Sequence, residues 1–263
     1  MKAVGFIGAG NMGSAIMKGI LRGGFSASDI YVCEKNPGSE LESNGVNICS
    51  LEDTVKKADY IIIAVKPINV DAVFKDIAAA DGYKEKTYIS IAAGVKISRI
   101  ESVIPGAAVI RVMPNLCLTA GEGMSVLCSN GLCSDADFEF ADGIFSCSGK
   151  TAHVKEELID ACTAINGSGP AYVFMFIEAM ADAAVKYGID RKTAYVLASQ
   201  TLLGSAKMQL ESGIHPGILK DMVCSPAGTT IDAVAALEDG NFRSTVIKAV
   251  DAALEKAKKM SGK

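Results

Sequence analysis

Ala3-Val4-Gly5-Phe6-Ile7-Gly8-Ala9-Gly10-Asn11-Met12-Gly13 lies near the start of the 263-residue chain. It reads as a short apolar strand, a Gly-x-Gly-x-x-Gly turn and the opening of a helix. The glycine spacing alone is a weak signal. Its place between the first strand and the first helix is what gives it meaning. In that setting Gly8 permits the tight turn and Gly10 lets the backbone approach a pyrophosphate. Gly13 lets the helix close on the strand, and the helix N-terminus offers N–H groups to the anion. The expected ligand is a dinucleotide, with Ile7, Gly8, Ala9, Gly10, Asn11, Met12 and Gly13 as contacts.

Outward from this turn the same alternation repeats. Residues 3–7, 30–34, 60–65, 87–92 and 108–113 are β-branched and almost continuously apolar, as strands of a parallel sheet covered on both faces must be. Between them, 11–22, 51–58, 70–80 and 97–104 read as helices. Strand, helix, strand in succession predicts an α/β domain with a doubly wound, Rossmann-like, mostly parallel sheet. After about residue 154 the strands stop and helix follows helix, broken at Gly169-Pro170, Gly188, Gly213 to Gly217 and Ser225-Pro226. The expected division is therefore 1–154, a dinucleotide-binding domain, and 155–263, an all-helical substrate-binding and dimerisation domain. The basic end, 256–263, reads as a solvated, frayed terminus.

The second strand ends at Glu34, about 20 residues beyond the glycine turn, where an acidic side chain accepts hydrogen bonds from ribose hydroxyls and repels a 2′-phosphate. Lys35, next to it, would attract that phosphate. The two pull opposite ways, so the cofactor is NADPH or NADH, with neither preferred. Ala64-Val65-Lys66-Pro67 and Ala92-Ala93-Gly94 follow the third and fourth strands, at the carboxyl ends where open α/β sheets place ligands. Their small residues let a flat ring or ribose lie against backbone.

The helix at 170–187 carries Val173, Phe174, Phe176, Ile177, Met180, Ala181, Ala184 and Val185, apolar on more than one stripe. A helix of this kind must be covered from several sides. In a domain this small, a second copy of the chain is the economical cover, so a homodimer is expected.

Composition narrows the rest. Apolar residues make up 49% and charged residues 21%, enough for a packed core. The net charge of −4 argues against a nucleic-acid reader, which would carry a basic face. No apolar run approaches the roughly 18 residues of a spanning helix, and no export signal is visible, so the cytoplasm is expected. The eight cysteines are scattered without a C-x-x-C pair and read as reduced, mostly buried small hydrophobes. Only His153 and His215 could assist a metal, and neither sits in a ligating motif. No metal is expected. Both histidines read as structural hydrogen-bonders, and Glu156 and Glu157 as favouring the positive end of the helix they open.

Four segments of the first half resemble the pyrroline-5-carboxylate reductases in order and spacing. They are Gly5 to Gly13, Ala64-Val65-Lys66-Pro67, Ala92-Ala93-Gly94-Val95 and Arg111-Val112-Met113-Pro114-Asn115. The helical half agrees through Gly167-Ser168-Gly169-Pro170-Ala171-Tyr172, His215-Pro216, Leu219-Lys220-Asp221 and Ser225-Pro226-Ala227-Gly228-Thr229-Thr230-Ile231, the last far more specific than the glycine turn. The resemblance implies hydride transfer from NAD(P)H to the C=N carbon of pyrroline-5-carboxylate, the last step of proline biosynthesis. It also implies an intertwined dimer, often built into decamers. By the same resemblance Ser225, Gly228, Thr229 and Thr230 contact the substrate, Ser225 and Thr230 belong to the catalytic machinery, and Asn115 joins the cofactor site. Four positions depart from the family: Leu116-Cys117 stands where Thr-Pro is frequent, Ala227 where glycine is common, and Asn166 where serine is common.

The residues themselves are apt for the chemistry. Ser225-Pro226 followed by Ala227-Gly228-Thr229-Thr230 reads as a turn delivering the chain to a helix N-terminus, whose free N–H groups and hydroxyls suit a carboxylate without an arginine. The nearest rivals are a β-hydroxyacid dehydrogenase-like oxidoreductase and a non-catalytic dinucleotide-binding sensor. The former resemble one another in placing a lysine on the first long helix of the second domain, and 169–185 holds none.

Overall fold

The computed structural model describes residues 2–262. The strands, in chain order, are β1 (Val4–Ile7), β2 (Ile30–Cys33), β3 (Asn47–Ile48), β4 (Tyr60–Ile63), β5 (Thr87–Ser90), β6 (Ala108–Met113), β7 (Gly123–Ser129) and β8 (Gly149–His153). Among the described residues they form one sheet of order β3-β2-β1-β4-β5-β6-β7-β8. The first six positions are parallel throughout, the 3-2-1-4-5-6 order of the doubly wound fold. β7 runs antiparallel to β6, and β8 parallel to β7.

The helices are α1 (Asn11–Arg22), α2 (Ser39–Ser43), α3 (Leu51–Lys57), α4 (Val70–Ala79), α5 (Ile97–Glu101), α6 (Asp135–Ser146), α7 (Ile159–Cys162), α8 (Gly169–Lys186), α9 (Arg191–Ser212), α10 (Pro216–Val223), α11 (Thr229–Asp239) and α12 (Phe242–Met260). No helix among the described residues is long and apolar enough to cross a membrane.

Period-two alternation splits the strand side chains between two cores. Val4, Phe6, Ile62 and Ile110 face Ile16, Met17 and Ile20 of α1 and Ala141 and Phe145 of α6. Ile7, Ile61, Ile63 and Val109 face Val55 of α3, Val70, Phe74 and Ile77 of α4 and Ile100 of α5. Both faces are thus dry, which is why the strands read as unbroken apolar runs. Each fully buried side chain of this size contributes about 1.5–3 kcal/mol.

All five expected strands form, most shortened by a residue or two at the carboxyl end. The trimmed residues Glu34, Ala64, Val65 and Ala92 stand in the loops that follow. Three strands and two helices escape the sequence reading. β3 is two exposed residues, and β7 and β8 begin at glycine, with β8 largely polar and at the sheet edge. The short α2 is one of the helices; α6 is the other, fixed by a capping box in which Ser134 Oγ accepts from the Asp137 N–H and Asp137 Oδ2 accepts from the Ser134 N–H. α8 opens at Gly169-Pro170, the break between helices that the sequence marks. The chain is already helical before it, through α7 and a π-helical turn at Thr163–Gly167.

The contacts group into two compact units, Met1–Ser168 with Ala253–Lys263, and Gly169–Ala252. The strands do end where the sequence places the change, but the sheet unit continues through α7 and the π turn and takes back the last turns of α12. The tail is docked, contrary to the expectation of a frayed end. Ala257 and Ser261 are buried, and Ser261 Oγ donates to Asp160 Oδ1 at 2.7 Å.

Asp160 belongs to a buried ionic cluster. Arg111, on β6, pairs through Nη1 with Glu156 Oε1 at 3.1 Å and through Nη2 with Asp160 Oδ1 at 3.6 Å. Glu156 Oε1 also accepts from the Ile97 N–H at 2.7 Å. Its role is therefore to tie β6 to the start of α5, beyond the dipole effect expected of it. The cysteines also need correction: all eight are free, but only Cys128 is buried, and Cys147 is exposed. Cys33, Cys147 and Cys162 sit at the ends of β2, α6 and α7, where cover is partial. Cys128 lies inside β7, and burial pushes its thiol up to about 12.

In the helical unit α8 and α9 pack side by side, Phe176 meets Phe242 at 5.8 Å between ring centroids, and Arg191 Nη1 pairs with Asp182 at 2.6 Å. Only Ala181 of α8 is buried within the single chain.

Removing a buried cation strands its anions. Arg111→Ala should destabilise the protein by about 3–5 kcal/mol, read from urea unfolding at fixed protein concentration. A loss below about 1 kcal/mol, the range of an exposed pair, would show that the cluster is not holding the sheet unit together.

Candidate functional site

Five neighbouring strands, β2, β1, β4, β5 and β6, run parallel. Their carboxyl ends carry, in that order, Glu34 and Lys35, the turn from Gly8 to Gly13, Ala64 to Pro67, Ala92 to Gly94, and Asn115. The sheet topology therefore brings every cofactor candidate of the sequence to one edge.

The turn is built by close approach. Gly8 has φ +93° and donates its N–H to the Cys33 carbonyl at 2.9 Å, while the Ala64 N–H donates to the Ile7 carbonyl at 2.9 Å. A methyl on Gly8 would lie 2.9 Å from the Ala64 oxygen, and one on Gly13 would lie 2.8 Å from the Gly8 oxygen. Gly10 is different, since nothing lies within 4 Å of where its methyl would be. The protein's own packing requires Gly8 and Gly13, whereas Gly10 keeps a surface clear. That open side sits at the N-cap of α1, which carries no capping side chain. Uncapped N–H groups at the positive end of a helix are what a pyrophosphate needs. The side chains of Ile7 and Met12 go to the cores, which leaves their backbone for a ligand.

Glu34 reaches back over this turn. Its Oε2 accepts from the Ala9 N–H at 2.7 Å and its Oε1 from the Asn36 N–H at 3.2 Å. Partial burial pushes the carboxyl upward, but the N–H bonds from Ala9, Asn36 and Lys35 outweigh it and hold the pKa below the usual carboxylate value. Beside it opens a cavity of about 200 Å³, whose walls include Ala9, Ser14, Lys18, Glu34, Asn36 and Asn44. The sequence reading missed Ser14, whose Oγ donates to the Ala9 carbonyl at 2.7 Å. Its position one residue past Gly13, in the first turn of α1, was the available signal.

Of the other loops, Lys66 is exposed ahead of the 3₁₀ turn Pro67–Asn69. Gly94 packs on the docked tail, where a methyl would stand 3.1 Å from the Met260 carbonyl. Asn115 is buried, its Oδ1 accepting from the Met124 N–H and its Nδ2 donating to the Asn166 carbonyl. Asn166, on the π turn, returns the tie by donating through Nδ2 to the carbonyls of Met113 and Met124. An asparagine at 166 thus bridges two backbone oxygens that a serine could not reach together.

In the helical unit Ser225, Gly228, Thr229 and Thr230 come together in one turn and the first residues of α11. The Gly228 N–H donates to the Ser225 carbonyl at 3.0 Å. Pro226 is the second residue of this turn, and Ala227, at φ +56°, the third, which is the type II pattern that favours glycine. The departure noted at Ala227 therefore falls where a side chain is strained. Gly228 is the N-cap of α11 and offers no capping side chain, so the first N–H groups of that helix are uncapped at the hydroxyls of Thr229 and Thr230. The histidines stay structural: His153 Nε2 bonds Asp142 at 2.6 Å, and His215 Nδ1 accepts from the Gly217 N–H at the start of α10.

A glycine turn of this geometry on the carboxyl edge of a doubly wound sheet defines a dinucleotide-binding protein. Known proteins sharpen the class. Residues 156–260 match the family described as pyrroline-5-carboxylate reductase dimerisation, and residues 3–94 that described as NADP oxidoreductase, coenzyme F420-dependent. A pyrroline-5-carboxylate reductase of Methanosarcina acetivorans is 42% identical over 272 residues, covering 99% of this chain and 98% of its own. Among solved structures, the pyrroline-5-carboxylate reductase of Coxiella burnetii superposes with a TM-score of 0.93 at 32% identity. The Plasmodium falciparum pyrroline carboxylate reductase with NADP bound gives 0.88 at 34%. Each alignment covers 99% of this chain and 98% of the other. The chain belongs to the pyrroline-5-carboxylate reductase family.

Relief of the strained turn is measurable. Left-handed backbone costs an L-residue roughly 1–2 kcal/mol, and glycine returns about 0.5–1 kcal/mol of that through its freer unfolded chain. Ala227→Gly should therefore stabilise the protein by about 0.5–1 kcal/mol, seen as a raised thermal midpoint at equal concentration. A lowered midpoint would contradict the strain.

Proposed function

We propose that the chain reduces the C=N bond of 1-pyrroline-5-carboxylate to give L-proline, the last step of proline biosynthesis, with NADH or NADPH as reductant. The observation that carries this reading is the full-length likeness to reductases of that name, with the glycine turn and the Ser225–Thr230 turn both intact. The nicotinamide, when bound, supplies the hydride that reaches the imine carbon. The turn from Gly8 to Gly13 and the N-terminus of α1 hold the pyrophosphate, Glu34 stands at the adenosine ribose with Lys35 following it on the exposed surface, and the loops at Ala64–Pro67, Ala92–Gly94 and Asn115 supply the remaining contacts.

The substrate's carboxylate is held by the uncapped N–H groups at the start of α11, with the hydroxyls of Ser225 and Thr229 and the backbone of Gly228. Thr230 places its hydroxyl as hydrogen-bond partner of the ring nitrogen. A threonine is too weak an acid to be the source of the proton. The substrate arrives protonated as an iminium, or water supplies the proton. Holding two reactants in a reactive pose then carries most of the acceleration, an effect worth up to about 7–11 kcal/mol. A β-hydroxyacid dehydrogenase reading has little support, because α8 contains no lysine before its final residue, Lys186.

Helix α8 argues for association. Val173, Phe174 and Met175 are 44%, 56% and 69% exposed in the single chain, a surface that water does not favour. With the dimerisation family spanning these residues, the working species is a homodimer or a decamer built from it. Light scattering at micromolar concentration should give one of those masses, and a monomer mass would overturn the assembly. The scattered cysteines, without a C-x-x-C pair, fit a reducing, cytoplasmic setting.

The decisive assay is the loss of absorbance at 340 nm from NADH and NADPH, run in parallel with pyrroline-5-carboxylate and its six-membered homologue. Oxidation with the five-membered ring is expected. Nucleotide binding without oxidation by any cyclic imine would identify a sensor instead. Thr230→Ala should keep nucleotide affinity and lower kcat at least tenfold, and wild-type turnover in that variant would remove Thr230 from the mechanism.

A further inference from the structure

Glu34 and Lys35 offer opposite charges to the adenosine end of the cofactor, and the sequence weighs them equally. The structure separates them. We propose that Glu34 makes this chain select NADH, by excluding the 2′-phosphate that distinguishes NADPH. The assignment rests on the reductase reading above and deepens it.

Three observations support it. Glu34 accepts on both oxygens, from the N–H groups of Ala9 and Asn36, which places its charge at the mouth of the glycine turn. It also lines the cavity of about 200 Å³ beside that turn, and the next residue on the wall is Asn36. Lys35 lies between them in sequence but is exposed and absent from that wall. Finally, the backbone donor nearest at hand is already taken: the Ala9 N–H, which could have served a phosphate, is satisfied by the carboxylate. Lys18 on the same wall is cationic but has a partner of its own.

The chemistry of the two cofactors then differs in sign. A ribose 2′-hydroxyl can donate a hydrogen bond to the carboxylate. A 2′-phosphate has lost most of its last proton at neutral pH and brings about 1.5 to 2 negative charges against that of the carboxylate. The same carboxylate therefore attracts one cofactor and repels the other.

The test is equilibrium binding followed by nicotinamide fluorescence, which does not depend on turnover. The wild-type protein should bind NADH at least tenfold more tightly than NADPH, with a similar ratio in kcat/KM. Glu34→Gln keeps an oxygen for the Ala9 N–H while removing the charge, and should narrow the ratio at least threefold, mainly by tighter NADPH binding. Lys35→Ala should leave the ratio within twofold. Equal or tighter NADPH binding by the wild type would overturn the proposal, as would an unchanged ratio in Glu34→Gln. If both nucleotides bind and drive imine reduction without preference, the assignment of Glu34 fails and the reductase stands. If neither binds, both readings fall.

Discussion

The carbonyl of Ala64 sits where a methyl on residue 8 would have to go. This contact between the end of β1 and the end of β4 governs the sheet edge. It forces a glycine with positive φ, and that backbone turn aims the start of α1 over the strand ends. Gly13 then lets the helix descend onto the Gly8 carbonyl. A side chain at either position would separate helix from sheet, and the uncapped N–H groups of α1 would no longer lie beside Glu34. Packing within the protein and readiness for an anion are set here by the same few ångströms.

Much of this was legible in the sequence, for a physical reason. Strands buried on both faces, such as Tyr60–Ile63, have no polar option and announce themselves as apolar runs. Turns that need glycine announce themselves too. Legibility fails where the energetics are tertiary. Asn47–Ile48 and Gly149–His153 lie at or near the sheet edges, where exposure permits polar residues and erases the apolar pattern. The capping box at Ser134 and Asp137 was the available signal for α6, a local hydrogen-bond pattern that a reading by hydrophobic period passes over. The tail was misread because basic residues around Ala257 and Ser261 conceal two small side chains that fit against the sheet unit. The site divides along the same line. The glycine turn and the Ser225–Thr230 turn are contiguous in sequence, whereas the Asn115–Asn166 tie joins residues that only the fold brings together.

Polar groups inside the sheet unit are organised to hold loops. Arg111 faces Glu156 and Asp160, and through them touches α5 and the docked tail. Asn115 and Asn166 exchange bonds across β6, β7 and the π turn. A π turn inserts an extra residue into a helix and is often kept where geometry must be exact for a ligand. Here it lets one side chain reach two strand carbonyls. Bonds of this kind lock orientation more than they add stability, because each contributes modestly on balance, and Asn166 Oδ1 stays buried without a hydrogen-bond partner.

The docked tail makes the sheet unit discontinuous, since it closes only with the residues from Ala253 onward. During synthesis the strands leave the ribosome long before those last turns of α12, and domains generally begin folding as they emerge. The back of the Gly94 loop, where Met260 packs, must therefore wait. A ribosome-bound chain would hold a nearly finished sheet unit with one loop unsupported, and the helical segment stands in the chain as an insertion that emerges before its host is complete.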